Sequence, residues 1–100
     1  VFHAGDGNMH PLICYDANKP GDLALCEAMG AEILKLCVDA GGCLTGEHGV
    51  GIEKRDLMSH QFAPQDLEIQ MAVKDVFDPQ WLLNPAKVFP LDASARRRVA

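Results

Sequence analysis

The stretch Val1-Phe2-His3-Ala4-Gly5-Asp6-Gly7-Asn8-Met9-His10-Pro11 decides how the rest of the chain is read. Asp6-Gly7 stands between two short runs that carry apolar residues. That is a hairpin signal, because both central positions of a type I′ turn need positive φ. With Asp6-Gly7 as a two-residue loop, Gly5 pairs with Asn8, Ala4 with Met9 and His3 with His10. Directly opposed residues share a sheet face with Cβ atoms roughly 4.5–5.5 Å apart. Two imidazoles held so can chelate one divalent cation. The inference depends on register, since a slip of one residue turns a side chain to the opposite face.

A second stretch, Gly41-Gly42-Cys43-Leu44-Thr45-Gly46-Glu47-His48-Gly49-Val50-Gly51, supplies what the first lacks. Together the two hold three of the four histidines and seven of the nine glycines, with a carboxylate at Glu47 to complete a His/His/carboxylate set. Neighbours in an extended segment point to opposite sides, which predicts Glu47 on the metal and His48 facing a substrate. An imidazole suits the second role, because its ordinary pKa near ~6.5 matches a general base at neutral pH. Spacing by itself leaves two readings open, a ligand set and surface histidines beside a Gly-rich turn.

The 100 residues amount to one small domain or a piece of one, and 48% hydrophobic content allows a core. The chain starts inside a motif with no initiator Met, which predicts a cut through a strand of a longer protein. It carries no secretory hydrophobic region and no apolar run of about eighteen residues, so neither export nor a membrane span is expected. A net charge of −5 argues against nucleic acid as a partner. Arg96-Arg97-Arg98 reads as a solvated, frayed tail. Cys14, Cys26, Cys37 and Cys43 show no CxxC spacing, and Cys26 and Cys37 fit one helix face. The expectation is buried, reduced thiols in a cytoplasmic protein, without a zinc ribbon.

Outward from the turn, Met9 to Tyr15 reads as the returning strand, made irregular by Pro11. Asp16 to Gly21 is a loop by composition. Asp22 to Ala40 is predicted helical, with Asp22 as N-cap and Gly41-Gly42 as the stop. Its apolar stripe is Cys26, Met29, Ile33, Leu36, Cys37 and Ala40. Gly42 to Thr45 is a strand candidate, and Glu53 to His60 a helical turn or two, with Lys54 and Arg55 as solvated charges. Pro64 opens a second helix whose expected buried face is Leu67, Ile69, Ala72, Val73, Val76 and Phe77, and Asp78-Pro79 ends it. Trp81 to Pro90 is apolar yet broken by prolines, so it must lie along another surface.

This order predicts an α+β fold: the second half of a ferredoxin-like (split βαβ) cap domain, residues 1–62, then a C-terminal helical segment, residues 63–100. Rival motifs fail. A phosphate loop needs Lys and then Ser or Thr after Gly51, where Ile52 and Glu53 stand. A dinucleotide fingerprint lacks its third glycine, and no HExxH occurs. Thr45 as a nucleophile lacks an oriented acid partner.

Three motifs occur in one order: His3-Ala4-Gly5-Asp6-Gly7-Asn8-Met9-His10-Pro11; Thr45-Gly46-Glu47-His48-Gly49-Val50-Gly51 with Lys54; and Phe77-Asp78-Pro79 followed by Leu82-Leu83-Asn84-Pro85-Ala86-Lys87. From His3 to about Phe89 the chain resembles the C-terminal region of FAD-linked 2-hydroxy-acid oxidoreductases of the vanillyl-alcohol-oxidase type, nearest their bacterial glycolate oxidase branch. The resemblance implies FAD, bound mainly by an N-terminal FAD-binding domain of the full-length protein. It implies oxidation of a small D-2-hydroxy acid, of glycolate or D-lactate type, to the 2-oxo acid. It further implies a divalent metal such as zinc on His3, His10 and Glu47, with His48 as the base and Asn84 and Lys87 near the cofactor. Asn8 is expected to face flavin or substrate as well. Ala86 departs from the pattern, since many relatives have Gly there.

The partners expected are the substrate, the FAD-binding domain and other glycolate oxidase subunits, which could tether a cytoplasmic enzyme at the inner membrane. The isolated chain is expected to be inactive. The alternative reading is a non-catalytic metal-binding or dimerisation module that keeps the cap fold.

Overall fold

A computed structural model describes residues 1–97. The chain forms two compact units, Val1–Gly49 and a second from Val50 onward. Strands and helices together make a mixed, α+β architecture.

In the first unit a short antiparallel hairpin pairs β1 (Phe2–His3) with β2 (Asn8–Met9), in the register Phe2↔Met9 and His3↔Asn8. The loop is longer than the expected two residues. Ala4–Asp6 form one 3₁₀ turn, and Gly7, at φ 71°, donates its N–H to the Ala4 carbonyl and returns the chain. Aspartate followed by a left-handed glycine does make the turn, but as the end of a longer loop, so the predicted pairing of His3 with His10 is off by two residues. Two residues preserve side-chain parity where one would not. The expected strand from Met9 to Tyr15 stops at Met9, where Pro11 removes a ladder donor. The expected strand Gly42–Thr45 does not form either; the segment is irregular, with one bend at Leu44.

Helix α1 spans Asp22–Asp39. Gly21, in left-handed backbone, takes the cap position assigned to Asp22, whose carboxylate instead accepts the Asp16 N–H at 3.2 Å. The C-terminal stop is as read from the sequence. Gly41, at φ 93°, donates to the Val38 carbonyl and Gly42 to the Cys37 carbonyl, the paired bonds of a Schellman motif. A Cβ on Gly42 would come 2.9 Å from that same Cys37 oxygen, so glycine is needed there for space. The stripe on α1 is not a core face. Cys26, Ile33 and Cys37 are half-buried, Met29, Leu36 and Ala40 are exposed, and the helix buries no residue. All four cysteines are free thiols, and Cys14 and Cys43 are exposed rather than buried.

The second unit begins with a 3₁₀ turn, Arg55–Leu57, then α2 (Met58–Gln61) and α3 (Pro64–Phe77). Pro64 holds the first position of α3, and Asp66 reaches back to accept the Ala63 N–H. Met58, Leu67, Met71 and Trp81 form the apolar core of this unit. The expected buried face of α3 is therefore wrong except at Leu67. Ile69, Val73, Val76 and Phe77 face outward, Phe77 at 81% exposure, because the chain packs on the side that carries Leu67, Met71 and Asp78.

After α3 the apolar, proline-broken segment folds onto its own unit. The Trp81 ring lies 5.9 Å from that of Phe89, and Lys74 Nζ sits 5.1 Å from the Trp81 ring. The basic tail is not solvated at Arg97, whose guanidinium pairs with Asp75 and Glu68, each at 2.9 Å. Arg98 lies outside the described residues. Among the described residues no helix is long and apolar enough to cross a membrane.

Candidate functional site

The site lies in the first unit, where the hairpin presents one face to the loop after α1. In the observed register His3 is opposite Asn8, and His10 lies one diagonal further along the same face. The His10 N–H extends the ladder by donating to the Val1 carbonyl at 2.9 Å. Diagonal neighbours are within reach of long side chains, and the His3 and His10 rings stand 5.3 Å apart, edge to face. The slipped register thus brings the two histidines together by a route other than direct opposition.

The loop carries Glu47 onto that face. Its Oε1 is 2.7 Å from His10 Nε2 and 3.7 Å from His3 Nε2, and it accepts a hydrogen bond from the Asn8 carboxamide at 3.2 Å. Each of His3, His10 and Glu47 offers one ligand atom, and these atoms lie within 4.8 Å of one another. The loop is shaped from inside: the Gly49 N–H donates to Thr45 Oγ1 at 2.9 Å, with Gly49 at φ 85°. Gly46 gives room, since a Cβ there would overlap Asn8 Oδ1. Because residues 46–48 bend, the extended geometry assumed for Glu47 and His48 does not hold. His48 instead stands with its ring 5.8 Å from that of His10, outside the three-atom cluster.

His10 Nε2 is buried and, despite its nearness to Glu47, has no hydrogen-bond partner, because the two atoms are not aligned as donor and acceptor. A buried polar atom left so is costly. A divalent cation accepting the lone pairs of two imidazoles and one carboxylate would satisfy it, so the donor set fits a metal of the zinc type. An open cleft of about 520 Å³ runs along this cluster, lined by His3, Asp6, Asn8, Cys43, Thr45 and Glu47 among others.

Asn84 and Lys87 belong to the second unit. Both are exposed, and among the described residues neither side chain makes a hydrogen bond or ion pair. An ammonium and a carboxamide with unspent donors fit the phosphates and ring carbonyls of a flavin dinucleotide. The sequence reading missed Arg55, which it left as a solvated charge: its side chain is 15% exposed and Nη1 donates to the Ala86 carbonyl at 2.6 Å. Asn8, expected at flavin or substrate, donates its carboxamide N–H to Glu47 Oε1, a partner that the expected pairing with Gly5 did not indicate.

Comparison with known proteins adds to this geometry. The chain is 56% identical over 90 residues to the glycolate oxidase subunit GlcD of Escherichia coli (strain K12), covering 90% of this chain and 18% of that protein. It is 38% identical over 94 residues to the subunit of the same name from Bacillus subtilis (strain 168), covering 94% and 20%. A mitochondrial D-lactate dehydrogenase [cytochrome] of Kluyveromyces lactis is 38% identical over 92 residues, covering 92% and 16%. The chain thus spans about a fifth or less of the length of these relatives. No solved structure matches it. The family model for FAD linked oxidases, C-terminal domain, matches residues 1–88, and the chain belongs to that family.

Proposed function

We propose that the protein carrying this chain is an FAD-dependent oxidoreductase that converts a small D-2-hydroxy acid, of glycolate or D-lactate type, to the 2-oxo acid. The observation that carries the reading is the convergence of His3, His10 and Asn8 on one oxygen of Glu47, with His10 Nε2 buried and making no hydrogen bond. The relatives' names supply the substrate class.

His3, His10 and Glu47 hold a divalent cation, which when bound lowers the pKa of a coordinated hydroxyl. Asn8 keeps the Glu47 carboxylate turned toward the histidines. His48, next to His10 and outside the cluster, takes the substrate hydroxyl proton on a ring nitrogen. Asn84 and Lys87 contact the flavin, which when bound supplies the redox chemistry. The hairpin and α1 serve as part of a ferredoxin-like cap, residues 1–62, and residues 63–100 return toward the FAD-binding domain. That α1 buries nothing supports a larger sheet covering it. The isolated chain does not retain FAD or oxidise substrate.

The test is a 2-hydroxy-acid panel on the full-length protein, with and without a chelator. Oxidation of glycolate or D-lactate that a chelator abolishes and a divalent metal restores is expected. Activity indifferent to chelation would remove the metal from the reading.

A further inference from the structure

Three residues other than glycine take left-handed backbone close together: Trp81 at φ 54°, Asn84 at φ 47° and Ala86 at φ 59°. Such backbone sets Cβ against the following carbonyl and persists only where its surroundings over-determine it. The first half of the segment is braced from α3. Asp78 accepts the Leu82 and Leu83 N–H groups, both at 3.0 Å, Lys74 Nζ donates to the Leu83 carbonyl at 2.9 Å, and the Trp81 indole donates to Asp75 at 2.6 Å. The second half is braced from 31 positions upstream, by the 2.6 Å bond from Arg55 to the Ala86 carbonyl. Arg55 Nε also lies 3.3 Å from Asp56 Oδ1, which orients the guanidinium fork.

We propose that Arg55 is a positioning residue for the turn that presents Asn84 and Lys87. Its hold on the Ala86 carbonyl keeps Ala86 left-handed and so aims the two side chains at FAD. This rests on the placement of Asn84 and Lys87 beside the flavin given above. If Ala86 relaxed to an ordinary conformation, its carbonyl would leave Arg55 and the backbone entering Lys87 would swing away. Lysine at position 55 could reach the carbonyl but offers no planar fork for Asp56 at the same time.

The experiment uses the full-length flavoprotein and reads FAD dissociation by flavin fluorescence, with thermal unfolding alongside. Arg55→Ala is expected to weaken FAD retention about tenfold, the size of one charge-assisted hydrogen bond. Arg55→Lys should lose less. Adding Ala86→Gly to Arg55→Ala should recover most of the loss, because glycine adopts positive φ without the Cβ clash. A purely packing role for Arg55 would not respond to Ala86→Gly.

FAD retention unchanged in a folded Arg55→Ala protein would overturn the proposal, as would a loss that Ala86→Gly does not relieve. Should Arg55→Ala fail to fold, Arg55→Lys with and without Ala86→Gly gives the same comparison. Weakened retention in Lys87→Ala with none in Arg55→Ala would remove this inference and leave the flavin placement standing. If neither Asn84→Ala nor Lys87→Ala alters retention, the placement falls and the inference with it.

Discussion

His10 Nε2 and Glu47 Oε1 stand 2.7 Å apart without forming a hydrogen bond. Atoms that close can serve one cation together, while the Asn8 carboxamide also donates to Glu47 Oε1. His10 is the more enclosed histidine, its side chain 25% exposed against 58% for His3, which is also 1 Å farther from Glu47 at 3.7 Å. His10→Ala should therefore lower metal affinity more than His3→Ala does, as read by competition with a chromogenic chelator. Equal losses would mean that the two imidazoles serve the ion alike.

Asn8 and Gly46 form one device. The carboxamide of Asn8 steadies the Glu47 carboxylate, and Gly46 leaves the space the carboxamide occupies. Asn8→Ala should weaken metal binding roughly 10–100-fold, as loss of an outer-sphere partner commonly does. Gly46→Ala should do the same by displacing Asn8, and the double variant should be little worse than either single one. Additive losses in that cycle would show that the two residues act separately.

His48→Ala should cut turnover by about 10²–10⁴-fold while bound metal and flavin stay at wild-type levels, since it removes a proton acceptor and no ligand. Turnover and metal content are measured on the same preparation. Loss of both together would make His48 part of the binding cluster.

The second unit should soften in acid. The Trp81 indole and then the Arg97 guanidinium hold the Asp75 carboxyl below its ordinary range, Lys74 does so for Asp78, and Arg97 for Glu68. A carboxylate whose folded pKa is depressed contributes stability above its unfolded value, near ~4, and loses it as pH falls through the folded value. Arg97→Ala should therefore lower the unfolding midpoint at neutral pH, with the gap to wild type narrowing below pH ~4. Circular dichroism melts across that range check it, and a gap constant with pH would place the contribution of Arg97 in packing.

The sequence was legible where chemistry is local and blind where packing decides. Gly41-Gly42 ended α1 because glycine takes positive φ at Gly41 and leaves room beside Cys37 at Gly42, and Pro64 began α3 because proline fixes a helical φ. The hairpin was found, yet its register was missed by two, since Asp6-Gly7 fits the end of a 3₁₀ turn as well as a two-residue loop. His3 and His10 still shared a face because the error was even. On α3, Leu67 and Met71 line one side, continued by the capping Asp78, while Ile69, Val73, Val76 and Phe77 line another. Periodicity shows two apolar stripes and cannot say which one the chain covers. Arg55 and Arg97 looked solvated because their partners, Ala86, Asp75 and Glu68, lie at least twenty positions away along the chain.

Metal content settles the central claim most directly. The full-length protein, stripped with a chelator, re-exposed to zinc or manganese and desalted, is assayed by elemental mass spectrometry beside His10→Ala and Glu47→Gln variants of unchanged fold. A near-stoichiometric ion in the wild type, absent from both variants, is the expected result. Equal metal in all three proteins, or none in the wild type, would contradict a cation held by His3, His10 and Glu47.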